Sequence, residues 1–355
     1  MGSNTAMTSL KTTLDMITPG LCGGASPNEL AEIRAPSIRG QLRWCFRALG
    51  GFKSQTGTPL REQEADIFGA CAGDSGQASK LQVRVRATAG STITSTVAKM
   101  ADDLGAGMNT EKGYILFPLR QQKRALFEKN LPSFELHLNW RGPVAMAEDI
   151  KALATVFVHL GSLGFRSRRA MGALAFAAGQ QSPMSLKDAL ARFAKPDAIT
   201  VRQLPAKDAD DAIRTLAAWL KSWRMHGRTE DHQRNGKPTN AGFKYAKNDH
   251  DMGCGQNPQG KAFRAAIGLP IIQRYSRGGT SNWEESQKLG GGRFASPVIL
   301  RPHRDAQGGW HALVLFIEAH KWPEGKTVYL NGQPKQVSLD LYNAMKADTK
   351  LQAIP

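Results

Sequence analysis

Arginines dominate the segment from residue 33 to residue 61, which contains no acidic residue. Arg39, Arg43 and Arg47 are spaced four residues apart, so on a helix they lie along one side. Because guanidinium groups this close repel one another, the row is typical of a surface that faces a series of anions such as a phosphate backbone. The alternative is a solvated basic face whose charges are paired with glutamates from elsewhere in the chain. Another side of the same helix is apolar and can pack on a sheet: Ile38, Leu42, Cys45 and Leu49.

A second basic segment runs from Gly164 to Gly172 and carries Arg166, Arg168 and Arg169. Glycine allows a ligand to approach the backbone closely, and arginine offers a planar fork of donors to phosphate. The segment therefore indicates a phosphate-binding loop. The alternative is a solvent-exposed turn whose arginines pack on nearby helices.

Other basic and glycine-rich positions extend the set of predicted contacts. An earlier glycine-rich turn, at residues 18–24, contains Gly23 and Gly24. For the arginines that remain, a structural role and a nucleic-acid-facing role are both open. We include four of them in the predicted interface: Arg34, Arg274, Arg301 and Arg304.

Several kinds of chemistry are not indicated. The glycine-rich segments match neither the dinucleotide-binding fingerprint nor the P-loop, and no GxSxG nucleophile elbow occurs. The spacing of His250 and Cys254 could serve a zinc ion, but His226 and His232 are spaced loosely, so a flexible polar loop is favoured over a metal site. We therefore predict no metal, no cofactor and no ATP-dependent reaction.

Composition sets the class of protein. The chain has 355 residues, 41% of them hydrophobic, which is enough for two cores, and its net charge of +17 favours a polyanionic partner. Its four cysteines form no CxxC pair, and its longest apolar stretch is shorter than a membrane-spanning helix. We therefore predict a soluble, cytoplasmic protein with no membrane partner.

The elements that must position these residues alternate between strands and helices. Strands are predicted over residues 9–17, 81–86, 114–119, 134–140, 294–301 and 310–319, and helices over 38–49, 145–160 and 209–225. The first helix should stop at Gly50-Gly51. Residues 226–261 show almost no apolar periodicity and are predicted to form an extended basic loop. Together these features indicate an α+β protein divided near Leu204, with one domain over residues 1–204 and a second over 205–355.

The motifs together resemble those of a known family. The run Thr-Pro-Gly-Leu-Cys-Gly-Gly-Ala at 18–25 and the run Ile-Arg-Ala-Pro-Ser-Ile-Arg-Gly-Gln-Leu-Arg-Trp-Cys-Phe-Arg-Ala at 33–48 are similar to the N-terminal motif of the RAMP superfamily. Within it, the chain resembles the family of first subunits of the Cmr complex, the type III-B CRISPR effector. Weaker similar pieces follow in the same order, at 64–69, 166–172, 268–270 and 293–304.

The resemblance implies a fold and a role. The fold would be two tandem ferredoxin-like, or RRM-like, domains. The role would be that of a non-catalytic RNA-binding subunit of an antiviral effector, holding the 3′ part of the guide (CRISPR) RNA and its duplex with complementary target RNA beside other RAMP subunits. The extended loop departs from the family pattern, and the aromatic signature with which RRM domains stack bases is missing.

Two other functions stay open. A metal-independent RAMP endoribonuclease that processes guide precursor would need a general base, for which His159, His303 and His311 are the candidates. A scaffold that mainly binds protein would show RNA affinity only inside an assembled complex.

Overall fold

The computed structural model describes residues 8–72, 75–87, 110–116, 125–127, 131–225, 240–275, 279–287 and 292–354. The strands are β1 (Thr8–Met16), β2 (Ala70–Ala72), β3 (Ser75–Gln77), β4 (Leu81–Ala87), β5 (Ser133–Trp140), β6 (Leu174–Phe176), β7 (Ile199–Ala206), β8 (Ile271–Arg274), β9 (Thr280–Glu284), β10 (Val298–Arg304), β11 (Trp310–Ile317), β12 (Thr327–Leu330), β13 (Gln333–Gln336) and β14 (Gln352–Ala353). The helices are α1 (Ala35–Ala48), α2 (Leu60–Phe68), α3 (Glu111–Leu116), α4 (Ala147–Leu160), α5 (Leu186–Ala191), α6 (Ala209–Arg224), α7 (Phe243–Gly253) and α8 (Asp340–Lys346).

The first unit is an antiparallel sheet with the order β4-β5-β1-β6. Helix α1 follows β1 and helix α4 follows β5, which gives the βαββαβ arrangement of a ferredoxin-like fold. In β5 the residues alternate between buried and half-buried, as a sheet with one covered face requires. The register sets Leu138 of β5 opposite Leu10 of β1 and Val83 of β4 on the covered face.

The second unit repeats this arrangement. Its sheet has the order β10-β11-β7-β14, with α6 following β7 and α8 preceding β14. Two insertions interrupt it: β8 and β9 lie between α6 and β10, and β12 and β13 lie between β11 and α8. The insertions pair with each other as a third sheet of order β13-β12-β9-β8. The predicted α+β class and the tandem ferredoxin-like fold are confirmed.

The two units are stacked so that helices of the first lie between two sheets. One face of the second sheet packs into the core that contains α1 and α4, through Ile199, Val201, Ile299, Leu313, Leu315 and Ile317. The other face packs on α6 and α8. Helix α4 is consequently buried on nearly every side, which explains why its sequence is apolar almost all round.

The end of α1 follows its sequence closely. Gly50 and Gly51 both have positive φ angles, 75° and 83°, and Gly51 N donates to Phe46 O at 3.0 Å. This left-handed turn satisfies carbonyls that the helix end leaves without partners, and glycine adopts it without steric cost. The predicted stop at these two glycines is confirmed.

Two predicted elements need correction. Residues 114–116 belong to helix α3 and not to a strand, while 117–119 lie outside the described residues. Within the predicted loop, residues 226–239 lie outside the described residues, but Phe243–Gly253 forms helix α7. That helix buries Tyr245, Ala246, Asp249 and Met252, and the buried aspartate interrupts the apolar pattern that would have predicted it.

The predicted division of the chain near Leu204 falls within β7. How the chain divides into domains stays a prediction.

Candidate nucleic-acid interface

The two glycine-rich segments of the sequence lie side by side. Phe165 N donates to Leu21 O at 2.9 Å, and Gly172 N donates to Pro19 O at 2.8 Å. Gly164 and Gly172 have φ angles of 84° and 66°, and a Cβ on Gly172 would lie 1.9 Å from Leu163 O. Both glycines are therefore required for the chain to pack on itself.

The first glycine-rich turn is closed in the same way. A Cβ on Gly23 would lie 2.7 Å from Pro27 Cβ, and one on Gly24 would lie 1.6 Å from Glu32 Oε2. Ala25 N donates to the same carboxylate oxygen at 3.1 Å. Gly23 is nevertheless exposed, while Gly24 is half-buried.

Strand β10 of the second unit holds the loop between Gly164 and Gly172, which we call the arginine loop. Ala170 N donates to Leu300 O at 2.9 Å, and Leu300 N donates to Arg168 O at 3.2 Å. The loop turns sharply at Arg166 and Ala170, which both have positive φ angles although neither is glycine. The first unit therefore supplies the loop and the second fixes its path.

A groove of about 690 Å³ opens where the arginine loop meets the second unit. Its walls come from the arginine loop, from the end of α6, and from residues 267–270 and 293–296, with Tyr114 and Ile115 on one side. Five arginines line it, and none of its lining residues in the described part of the chain is acidic. They are Arg166, Arg168, Arg169, Arg224 and Arg293.

Burial without carboxylates makes these charges costly. Burial lowers the pKa of Arg166 to about 10, with a further contribution from nearby Arg224, and lowers that of Arg169 to about 9. Both groups still carry their charge at neutral pH. The Nε atoms of Arg166 and Arg224 are buried and have no hydrogen-bond partner among the residues described. An anion in the groove would supply the missing counter-charge.

Arg168 is the most firmly oriented of the five. Its Nη1 donates to Ser296 O at 2.7 Å and lies 3.1 Å from His320 Nδ1, while its guanidinium stands 5.5 Å from the ring centre of Trp44. Burial lowers the pKa of His320 to about 4, so the imidazole is neutral and can accept this bond. Arg169 is different, because it is 9% exposed and its Nη1 donates to Arg168 O and Val298 O.

The three arginines of the predicted row on α1, Arg39, Arg43 and Arg47, all have partners within the protein. Arg43 Nε lies 2.7 Å from Glu64 Oε1, and Arg47 Nε lies 2.7 Å from Glu64 Oε2. Arg39 donates to the carbonyl of Phe68. Burial acts to raise the pKa of Glu64, but hydrogen bonds from Arg47 and Arg43 outweigh it and hold that pKa below its usual value. Arg43 and Arg47 are therefore paired with a glutamate, which is the alternative that the sequence left open.

Arg301 and Arg304 lie where the two units contact each other, which we call the seam, and not on an open surface. Arg301 is 0% exposed, and its guanidinium donates to main-chain carbonyls that include those of Gly161 and Leu174. Arg304 Nη2 donates to Asp15 Oδ2 at 2.6 Å. The prediction that Arg301 contacts a nucleic acid is corrected, because a fully buried guanidinium cannot reach one.

Two other predicted arginines are exposed. Arg34 precedes α1 and lines a pocket of about 210 Å³ that shares Gly164 and Phe165 with the groove. Arg274 is the last residue of β8 and stands apart from the groove lining.

Two groove arginines were not among the predicted contacts. Arg224 ends α6, and Arg293 precedes the strand β10. Neither stands in a local motif that separates it from other surface arginines. Only the packing of the two units brings them to the arginine loop.

The histidines proposed as general bases do lie together, at the seam. His159 Nδ1 is 3.0 Å from His303 Nε2, and the rings of His303 and His311 are 6.0 Å apart. Burial lowers the pKa of His159 to about 4 and that of His303 to about 2, with the nearby charge of Arg301 adding to both. None of the three lines the groove.

Of the four possible metal ligands in the sequence, two can be located, and these lie close together. Cys254 Sγ lies 3.9 Å from the ring nitrogens of His250, while His226 and His232 lie outside the described residues. In the described ranges no three histidine, cysteine or acidic side chains are grouped as metal ligands. Among the same residues no helix has the length and apolarity needed to cross a bilayer.

Comparison with known proteins agrees with this fold. Residues 13–175, which run from β1 to β6, match the RAMP superfamily. The CRISPR system Cmr subunit Cmr1-1 of Pyrococcus furiosus is 29% identical over 153 residues, a match that spans 41% of this chain and 41% of that protein's length. The resemblance seen in the sequence is thus confirmed.

Solved structures extend the likeness beyond the first unit. The crystal structure of Cmr1 from Pyrococcus furiosus in its apo form covers 97% of this chain and 98% of its own, with 18% identity and a TM-score of 0.57. A chain of the cryo-EM structure of the type III-B Cmr-beta bound to cognate target RNA covers 96% and 97%, with 12% identity and a TM-score of 0.49. The first of these likenesses shows that the fold of this chain is similar to that of Cmr1 over both units.

Proposed function

We propose that this chain, which resembles the first subunit of the Cmr complex, is a non-catalytic RNA-binding subunit of a type III CRISPR effector. It would hold the 3′ part of the guide RNA, and its duplex with target RNA, beside other RAMP subunits. The observation that carries the proposal is the groove lined by five arginines and by no described acidic residue. The name and the sequence of the relative from Pyrococcus furiosus support the choice of complex.

The chemistry of the groove suits a sugar–phosphate backbone. Each phosphodiester carries one negative charge and accepts hydrogen bonds, and arginine can donate two in parallel. In the groove, Arg166 and Arg169 are buried with no carboxylate partner among the described residues, so the negative charge of a phosphate would stabilise them. Such contacts do not distinguish bases, and sequence choice would come from pairing between guide and target.

The path of the RNA can extend beyond the groove. The pocket that contains Arg34 adjoins it across Gly164 and Phe165, and the start of α1 with Ser37 forms the far wall. The N-terminus of a helix favours an anion. An RNA strand lying over Phe165 would therefore meet the groove arginines on one side and Arg34, beside Glu32, on the other.

The endoribonuclease alternative has one supporting observation, the grouping of His159, His303 and His311. The first two bond each other through ring nitrogens and lie outside the groove lining. A general base must reach the ribose hydroxyl that it deprotonates. We therefore favour a binding subunit over an enzyme.

The proposal is tested by the salt dependence of RNA binding to the full chain. Replacing Arg168 and Arg293 with alanine should weaken binding to single-stranded RNA of any sequence. The slope of log K against log salt should fall by about 1.4, at about 0.7 for each lost phosphate contact. The matched control replaces Arg84 and Arg86, which are exposed on β4, and removes the same charge elsewhere. Equal losses in both variants would contradict the proposal.

A further inference from the structure

We propose that Arg301 is a positioning residue for RNA binding, because it sets the geometry of the arginine loop without touching RNA itself. The inference rests on the proposed function. Arg301 is 0% exposed, on strand β10, at the seam between the two units. What distinguishes it from an ordinary buried residue is the set of carbonyls that it joins.

Those carbonyls lie at the two ends of the loop. Arg301 Nε donates to Gly161 O at 2.9 Å, just before the loop begins, and Nη2 donates to Leu174 O at 2.6 Å, just after it ends. Between these two points Ser162 and Ala173 pair as an isolated antiparallel bridge. One guanidinium therefore clamps the base from which the groove arginines project.

The same strand holds the rest of the loop. The main chain of Leu300, the neighbouring residue, bonds both Arg168 O and Ala170 N, and Val298 O accepts from Arg169 Nη1. Successive residues of a strand point to opposite faces, so Leu300 packs in the core with α6 while Arg301 turns toward the first unit. The base and the tip of the loop are thus fixed by adjacent residues of β10.

The position is an unfavourable one for a charge. Among the described residues every hydrogen bond of the Arg301 side chain goes to a main-chain carbonyl, and none goes to a carboxylate. A protein is often as stable, or more so, when a buried charged group is replaced by apolar residues of similar volume. Only a planar fork of donors, however, can bond the end of α4 and the open edge of β6 at once. The geometry therefore accounts for an arginine where stability alone does not.

The test compares two charge-preserving variants at the same seam. Arg301→Lys keeps the charge but loses the fork, and Arg304→Lys keeps a charge beside Asp15, outside the loop. Binding of a short single-stranded RNA is measured with the full chain at a temperature where both variants are folded. Arg301→Lys should weaken binding about tenfold, and Arg304→Lys should leave it within about twofold.

A double-mutant cycle separates positioning from general stability. If Arg301 acts through the arginine loop, then Arg301→Lys should have almost no further effect once Arg166 and Arg168 are alanine. Hydrogen exchange should become faster in residues 162–173 while α4 keeps its protection. An equal effect of Arg301→Lys in both backgrounds, or wild-type affinity, would overturn the inference.

Two further outcomes are informative. If Arg166→Ala with Arg168→Ala binds RNA as well as the wild type, the proposed function fails and this inference fails with it. Should Arg301→Lys not fold, Arg301→Gln keeps a planar donor for Gly161 O and takes its place in the cycle. If neither variant folds, Arg301 is required for the fold as a whole and the inference is rejected.

Discussion

Arg47 and Glu64 form a two-armed ion pair, with Nε 2.7 Å from Oε2 and Nη2 2.6 Å from Oε1. Glu64 also accepts from Arg43, so one carboxylate of α2 binds two arginines of α1. The pairing fastens α2 against α1 and removes charge from the helix row. One carboxylate offsets only one of the two charges, so α1 keeps part of its positive charge, whereas the groove arginines have no carboxylate partner among the described residues.

Replacing Glu64 with glutamine should destabilise the protein. The side chain is 12% exposed, and its loss leaves two guanidinium groups facing each other, so the free energy of unfolding should fall by about 2 kcal/mol at neutral pH. Because the folded protein lowers the pKa of Glu64, this contribution is present above the unfolded pKa of about 4.3 and is lost as the pH falls through the folded value. Urea unfolding at several pH values measures it, and a difference that persists in acid would contradict the pairing.

Removing the paired arginines should change RNA binding less than removing groove arginines. With Arg39 and Arg43 both replaced by alanine, the salt slope should fall by about 0.7 at most, because the carboxylate of Glu64 already offsets one of the two charges of Arg43 and Arg47. Salt titrations of RNA binding by the full chain measure the slope. A fall as large as that of the Arg168 and Arg293 double variant would place the backbone along α1.

The arginine loop should tolerate no side chain at Gly172. Alanine there would place Cβ 1.9 Å from Leu163 O at a φ of 66°, and should lower the free energy of unfolding by about 3 kcal/mol or more. Gly179 is the matched control, since its φ is 77° but no atom lies within 4 Å of the position that a Cβ would take. Its alanine variant should cost only about 1 kcal/mol, from backbone strain alone. Equal costs in urea unfolding would show that crowding at Leu163 is unimportant.

Acid should destabilise the seam between the units. Burial lowers the pKa of His159 to about 4 and of His303 to about 2, whereas in the unfolded chain both lie near 6.5. Their contribution to stability is therefore complete above about pH 6.5 and is lost as the pH falls toward 4, by about 1.4 kcal/mol per pH unit for each histidine. His303→Gln removes one of these two protonation sites, so it should reduce the slope by about 1.4 kcal/mol per pH unit. Urea unfolding between those pH values measures the slope.

The wild-type chain, measured at the same pH values, provides the control for that experiment. If His303→Gln has the same slope as the wild type, the seam histidines do not control acid stability.

Helices and strands with a clear local sequence pattern could be predicted. Helix α1 could be predicted because its apolar side, Pro36 and the two glycines after it all agree. The pairing of its arginines could not, because Glu64 lies just beyond the acid-free segment and only the packing of α2 brings it close. A basic row in sequence does not reveal whether its counter-charge is a ligand or a neighbouring helix.

The candidate site depends on contacts between distant parts of the chain. Arg301 resembles any other surface arginine in sequence, yet both faces of the second sheet are covered and the residue is buried. Arg224 and Arg293 enter the groove only because the second unit packs beside the arginine loop. The loop itself could be predicted from its glycines and arginines, and its glycines also allow the two glycine-rich segments to pack closely.

Photochemical crosslinking tests the central claim most directly. The full chain would be irradiated with single-stranded RNA that contains 4-thiouridine, and crosslinked peptides would be identified by mass spectrometry. We expect crosslinks in residues 164–169, 267–270 and 293–296, and their loss when Arg168 and Arg293 are alanine. Crosslinks confined to α1 or to the open face of the first sheet, unaffected by that double variant, would contradict that claim.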